Sequence, residues 1–325
     1  MKYIFLIFFT VFFAVNMGAS GIAPSFAAIY GGNFIKKRNA LLLFSVFVIL
    51  GAIVLGRNVA LTLGKNLLPA EFMSFNTVLV IFASAAASLF LANILKIPQS
   101  TSQVTVCAVI GAGLYFRHLN FSTLFLKILP MWVILPLSSY ALTFLLYRNI
   151  YPPEHDNLHI YQKVFANEKK LKISAVAVSC YVAFAIGSNN VANAVGPLYG
   201  AGIVNVLSGL AMVAPLFGIG AYVLGKGPLD TAGKEIVPLG IMSSTLVSFV
   251  TATLLIFASL LGIPQSLVQL NIFSIFAVSC LKDGHRRAFS QNITKKTLII
   301  WAVTPLAAAV FSYSALFLIN NKLHW

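Results

Sequence analysis

Long apolar runs alternate with short polar breaks along the chain, and this pattern predicts ten membrane-embedded segments. A spanning helix needs ~20 apolar residues, although buried or broken segments can be shorter. The runs cover about 3–32, 40–56, 74–95, 98–116, 121–147, 172–200, 206–224, 239–261, 265–281 and 297–320. The first is overlong and holds the interruption NMGASGIAPS at 16–25. Lys2 ahead of an apolar run has the look of a secretion signal, but a counterpart deep in the chain identifies the segment as a membrane element. The one sizeable polar stretch, 148–171, reads as a linker between two membrane halves, 1–147 and 172–325.

Composition agrees with this pattern and narrows the class. Of 325 residues, 59% are apolar and 9% charged, against roughly 25% charged in an average soluble domain. A soluble fold this poor in charge could not cover its own surface. The expectation is an all-α polytopic membrane protein whose partner is the lipid bilayer. Cys107, Cys180 and Cys280 each lie in an apolar run, which suits small core residues and supports neither a disulfide frame nor a metal site. His155 and His159 sit in the polar linker without a cysteine nearby, so they read as solvated residues.

The formal charge of +15 would suit nucleic-acid binding if it formed one face. Instead it sits in the breaks, where Lys and Arg set orientation. If all ten segments cross, the breaks after the odd-numbered ones carry 16 Lys and Arg, from Lys36–Arg38, Lys96, the linker through Lys172, Lys226, Lys234 and 282–296. The other side carries five: Lys2, Arg57, Lys65, Arg117 and Lys322. The bias places the first group in the cytoplasm and both termini outside the cell membrane. No nucleic-acid partner is expected.

The halves resemble each other at an offset of 169 residues. Gly18, Ala23, Tyr30 and Gly31 match Gly187, Ala192, Tyr199 and Gly200; VLGRNVALTLGK (54–65) answers VLGKGPLDTAGK (223–234), and WVILPL (132–137) answers WAVTPL (301–306). IPQS occurs at 97–100 and again at 263–266. Five segments per repeat is an odd number, so the second repeat enters the membrane inverted. Inverted repeats characterise alternating-access transporters, with the site near the midplane at broken or re-entrant elements.

Two paired features fit such a site. NMGASGIAPS faces IGSNNVANAVGPLYG (186–200), and a break there would aim half-helix N-termini inward. The second pair is IPQSTSQVT (97–105) with IPQSLVQLN (263–271), where proline permits a new helix start and serine caps it. Small residues in membrane helices also serve close packing, and Gly18, Gly31, Gly111 and Gly196 are candidates for that role. Runs such as Ser-Asn-Asn are costly in lipid and favour a binding role.

GSNNVANA (187–194) resembles the GANDVANA signature of the PiT inorganic phosphate transporter family, and PQSTSQ (98–103) resembles that family's paired Pro-x-Ser-Thr-Thr-His element. The resemblance runs over essentially the whole chain. It implies that Gly18, Ala19, Ser20 and Gly21, with Gly187, Ser188, Asn189, Asn190 and Asn193, line an anion site. Gln99, Ser100, Thr101, Ser102, Gln103, Gln265 and Ser266 complete it. The departures matter: the signature Asp is Asn190 in one repeat and Gly21 in the other, and the family's His is Gln103 and Gln269. Sodium coupling of the familiar kind therefore lacks its ligand.

Monohydrogen phosphate has a proton to donate to a carboxylate, whereas sulfate is an acceptor only and would meet like charge. Amide donors in place of the Asp suit sulfate. The sequence resembles the sulfate permease branch of the family, so the expected partner is sulfate, with phosphate the alternative and a proton or sodium ion as coupling ion. A homodimer is compatible with this reading, and no cofactor or metal is called for. A membrane enzyme would need acids, bases or metal ligands that the segments lack, and an anion channel would not need inverted repeats.

Overall fold

A computed structural model describes residues 2–94, 100–152, 158, 162, 167–230, 240–284 and 292–322. Every regular element among the described residues is helical. The principal α-helices are, in chain order, α1 (Lys2–Gly31), α2 (Lys37–Leu55), α3 (Arg57–Leu61), α4 (Phe75–Ile94), α5 (Thr101–Phe116), α6 (Leu129–Arg148), α7 (Glu168–Gly200), α8 (Val206–Leu224), α9 (Ile241–Leu260), α10 (Leu267–Asp283) and α11 (Asn292–Lys322), with short π or 3-10 turns at Thr62–Asn66, Ala70–Phe72 and Thr123–Ile128. Seven stretches are long and apolar enough to cross a membrane: Tyr3–Gly31, Lys37–Leu55, Thr123–Arg148, Glu168–Gly200, Val206–Leu224, Ile241–Leu260 and Val303–Asn320. Three shorter apolar helices, Phe75–Phe90, Thr101–Phe116 and Leu267–Lys282, complete the set of ten. Most of 153–166, with the linker histidines His155 and His159, lies outside the described residues.

The outer surface is that of a protein solvated by lipid. Leu42, Leu126, Met212, Tyr222 and Leu306 are all more than 60% exposed, a pattern that water would penalise. The interior is filled by large aromatic side chains, including Phe13, Phe26, Phe44, Phe82 and Phe217, all fully buried.

The most extensive helix pairs join the two halves of the chain and do so reciprocally. α2 packs on α7 while α1 packs on α8, and α5 packs on α11 while α6 packs on α10. Glycine makes the first two contacts close. A Cβ at Gly18 would collide with the Phe217 carbonyl, and one at Gly187 with the Val48 carbonyl. Gly51 meets the Phe184 carbonyl and Gly220 the Val15 carbonyl. Each member of these pairs is displaced by 169 residues from its counterpart, so the same contact is built twice.

The turns after α1 and α7 repeat as well. Gly32, Asn33 and Phe34 N–H groups donate to Ala28, Tyr30 and Ile29 carbonyls, and Ala201, Gly202 and Ile203 do the same to Pro197, Tyr199 and Leu198. Both turns need one left-handed residue, Asn33 at φ 58° and Gly202 at φ 69°, positions that favour Asn and Gly.

One local expectation is corrected. α1 and α7 run unbroken through 16–25 and 186–200. Their short polar side chains stay within the helix: Ser20, Ser25 and Ser188 donate to the carbonyls of Met17, Gly21 and Ala185. Such i−3 and i−4 bonds satisfy the hydroxyl without breaking the ladder.

Candidate functional site

Two helix starts buried in the protein define the site. α5 begins at Thr101 and α10 at Leu267, each preceded by a serine in the same extended conformation: Ser100 at φ/ψ −90°/106° and Ser266 at −85°/109°. Each serine Oγ accepts the N–H three residues on, from Gln103 or Gln269, at 3.2 Å. That is an N-cap, and it explains why Ser follows Pro-Gln in both copies. Ser100 and Ser266 are each 2% exposed. The first N–H groups of both helices, which have no partner within the helix, therefore open into the interior with about half a positive charge per helix.

α7 holds the two starts together. Asn189 Nδ2 donates to the Ile263 carbonyl at 2.9 Å and to Ser259 Oγ at 3.0 Å, and its Oδ1 accepts Gln265 N–H at 3.0 Å. One turn on, Asn193 Nδ2 donates to Ser102 Oγ at 2.9 Å. Four residues of helix rise by about 6 Å, so both helix starts meet one face of α7 a turn apart. Trp132 on α6 pins the second start by donating Nε1–H to the Pro264 carbonyl at 2.8 Å.

Unpartnered polar atoms collect here. Gln103 Oε1, Asn190 Oδ1, Asn193 Oδ1, Gln269 Oε1 and both amide atoms of Gln265 are buried without a hydrogen bond. Only Ser312 Oγ joins them among the described residues. Each such group costs about 1–3 kcal/mol unless something fills it. A side-chain amide can present N–H2 or oxygen by turning over, so the cluster is a set of neutral hydrogen-bonding groups beside two positive helix ends. That arrangement suits a tetrahedral oxyanion.

The residues named from sequence divide by what they touch. Ser100, Ser102, Gln103, Asn193, Gln265 and Ser266 are buried at the helix starts, where Thr101 is half-buried; Asn190 is half-buried on α7, next to Asn189. Asn189 divides its amide between Ser259 and the 263–265 backbone. Ser188 is buried against Ser259, 2.9 Å between hydroxyls. Gly18 and Gly187 are at helix contacts, and so are Gly111, against the Ala309 carbonyl, and Gly196, against Leu63. Gly21 lies beside Phe44 and Ile186; Ala19 is buried and Ser20 exposed on α1. Gln99 lies outside the described residues.

Sequence reasoning missed several supports. Ser259 anchors Asn189 from inside an apolar run and gave no signal. Trp132 could have been found, since it opens one of the duplicated blocks. A hydroxyl seam joins α6 to α10: Ser139 Oγ donates to the Leu270 carbonyl at 2.9 Å, and Ser274 Oγ lies 2.7 Å from Ser139 Oγ and 2.8 Å from Thr143 Oγ1.

The model of the phosphate transporter family matches residues 17–312. Sulfate permease CysP of Bacillus subtilis (strain 168) is 36% identical over 312 residues, covering 94% of this chain and 85% of that protein. Human sodium-dependent phosphate transporter 2 is 28% identical over 155 residues, 44% of this chain and 24% of that one. A solved structure, the sodium-dependent phosphate transporter, superposes with a TM-score of 0.83 at 21% identity, covering 98% of this chain and 99% of its own. The family match spans both helix starts and all of α7 up to the last turns of α11, and so the chain belongs to the phosphate transporter family.

Proposed function

We propose that this transporter carries sulfate across the cytoplasmic membrane by alternating access. The observation that carries the reading is the pair of buried, serine-capped helix starts lined by amides, with Asn190 and Gly21 where the family signature has Asp. Two helix ends supply about one positive charge between them, and the amides and hydroxyls supply donors. A dianion without a proton to give is matched by that set, and a carboxylate among them would repel it. The likeness to a sulfate permease over 94% of the chain supports the same substrate. Phosphate is the second reading, favoured by the phosphate transporters among the relatives.

The reciprocal helix pairs and twice-built glycine contacts support two inverted repeats, 1–147 and 172–325, joined by a linker at 148–171, with α5 and α10 as half-helices entering from opposite sides. The charge bias supports a cytoplasmic linker and both termini outside. Within the site, Asn190, Asn193, Gln103, Gln265 and the 100–103 and 265–266 backbone contact the anion, Asn189 positions the second helix start, and Gly18 and Gly187 set the helix spacing.

The test is uptake of labelled sulfate and phosphate into proteoliposomes under imposed proton or sodium gradients, which also identifies the coupling ion. Sulfate uptake that phosphate inhibits weakly is the expected result. Phosphate uptake that excess sulfate fails to reduce overturns the sulfate reading. Sedimentation of the purified protein decides whether a second copy is a partner.

A further inference from the structure

The turn between α1 and α2 carries a feature that the transport site does not use. Lys36, Arg38 and Asn39 from this turn, with Lys172 from the start of α7 and the side chains of Phe34 and Ile35, line a cavity of about 660 Å³. Three cations thus converge from both halves of the chain, and no carboxylate lines the space among the described residues. Lys36 is the N-cap of the 19-residue α2, at φ/ψ −73°/145°, and makes no side-chain cap. The first N–H groups of α2 therefore lack the usual side-chain partner beside the same cavity.

The fold supplies its own control for what these cations do. The matching turn between α7 and α8 has the same three backbone hydrogen bonds, and its N-cap, Asn205, sits at φ/ψ −74°/151°. It has Asn205, Leu207 and Ser208 where the first turn has Lys36, Arg38 and Asn39. The backbone geometry consequently needs no charge. Orientation of the chain accounts for basic residues on one side of the membrane, but it does not require Lys172 to meet Lys36 and Arg38 in one cavity.

The surroundings identify the occupant. Leu42 and Val46 follow Arg38 at four and eight residues along α2 and are 65% and 45% exposed, and Ile173, next to Lys172, is 60% exposed. Residues four apart share a helix face, so an exposed apolar lane runs from the cations into the membrane. A free oxyanion has no use for that lane; an acyl chain does. We infer that this cavity binds the phosphate of an anionic phospholipid, with its acyl chain laid along Leu42 and Val46.

The experiment uses the purified full-length protein in neutral detergent. Phosphatidylglycerol, phosphatidylcholine or inorganic phosphate is added, and bound lipid is counted by native mass spectrometry alongside the thermal unfolding midpoint. Phosphatidylglycerol should bind and raise the midpoint, phosphatidylcholine should be ineffective, and any shift with inorganic phosphate should be the same in wild type and in K36Q/R38Q/K172Q. In the variant K36Q/R38Q/K172Q its binding should weaken at least about tenfold. In K169Q/K170Q/K226Q, which removes three cations outside the cavity, it should change less than about twofold. If the first variant cannot be purified, R38Q alone should show about threefold weakening. Equal losses in both triple variants, or no loss in R38Q, would sink the site. A midpoint shift with inorganic phosphate that is as large as that with phosphatidylglycerol and is lost in K36Q/R38Q/K172Q would overturn the lipid assignment.

Discussion

Asn189 and Asn190 are neighbours with different tasks. The Asn189 amide makes three hydrogen bonds, two of them to the backbone that precedes α10. Asn189→Ala leaves the Gln265 N–H and the Ile263 carbonyl buried and unpaired, at about 1–3 kcal/mol each. The variant should lose several degrees in Tm and most of its uptake. Asn190 instead has a buried, unpartnered oxygen. Asn190→Asp should leave Tm nearly unchanged and weaken sulfate uptake by about tenfold or more, since like charge acts strongly in a low-dielectric site. Concentration series with labelled sulfate check this, and an unaltered apparent affinity would remove the charge argument. The Ser-Asn-Asn run was legible in the sequence because polar groups in lipid must be accounted for. Which asparagine holds backbone and which keeps an unpartnered oxygen was not legible, because Ser259 and Ile263 come close to α7 only in the fold.

The helix starts are the elements on which the site depends, and the paired IPQS motif marks both, because proline permits a new helix start and serine caps it. Ser100→Ala and Ser266→Ala each remove a cap worth about 1 kcal/mol. Both should slow uptake with only a small shift in Tm, whereas the corresponding threonine variants, which retain the cap, should transport normally. Expectation and structure part at α1 and α7, where Gly, Ser and Asn were read as a break. Those residues break a helix when water competes for the backbone; here Gly18 and Gly187 instead let Phe217 and Val48 approach, and the serines bond within the helix. Gly18→Val and Gly187→Val should therefore fail at the packing step. Both are expected to lower expression and thermal stability together, measured by fluorescence-detected size exclusion. The seam of Ser139, Thr143 and Ser274 had no sequence signal because isolated hydroxyls in apolar helices usually bond their own backbone.

At the scale of the molecule, alternation of apolar and polar segments was enough to find the seven spanning and three shorter apolar helices among the described residues, and the offset of 169 residues relates the glycine contacts of α1 and α2 to those of α7 and α8. Mass and charge could not show which helices touch, since that depends on small residues meeting carbonyls across the two halves. A carrier built from two such halves should show trans-stimulation: internal unlabelled sulfate should speed entry of labelled sulfate by about twofold or more. Counterflow in proteoliposomes measures it, and an uptake rate indifferent to internal sulfate would indicate a channel instead. The reciprocal packing also bears on how the protein is made. α1 and α2 find their main partners in α8 and α7, and α5 and α6 find theirs in α11 and α10. The first half thus leaves the ribosome with α4 packed on α1 and α5 but without the main partners of its other helices, and must remain in the bilayer, incompletely assembled, until the second arrives. Two fragments separated within 148–171 should each be degraded when synthesised alone, yet should reassemble into a working carrier when synthesised together.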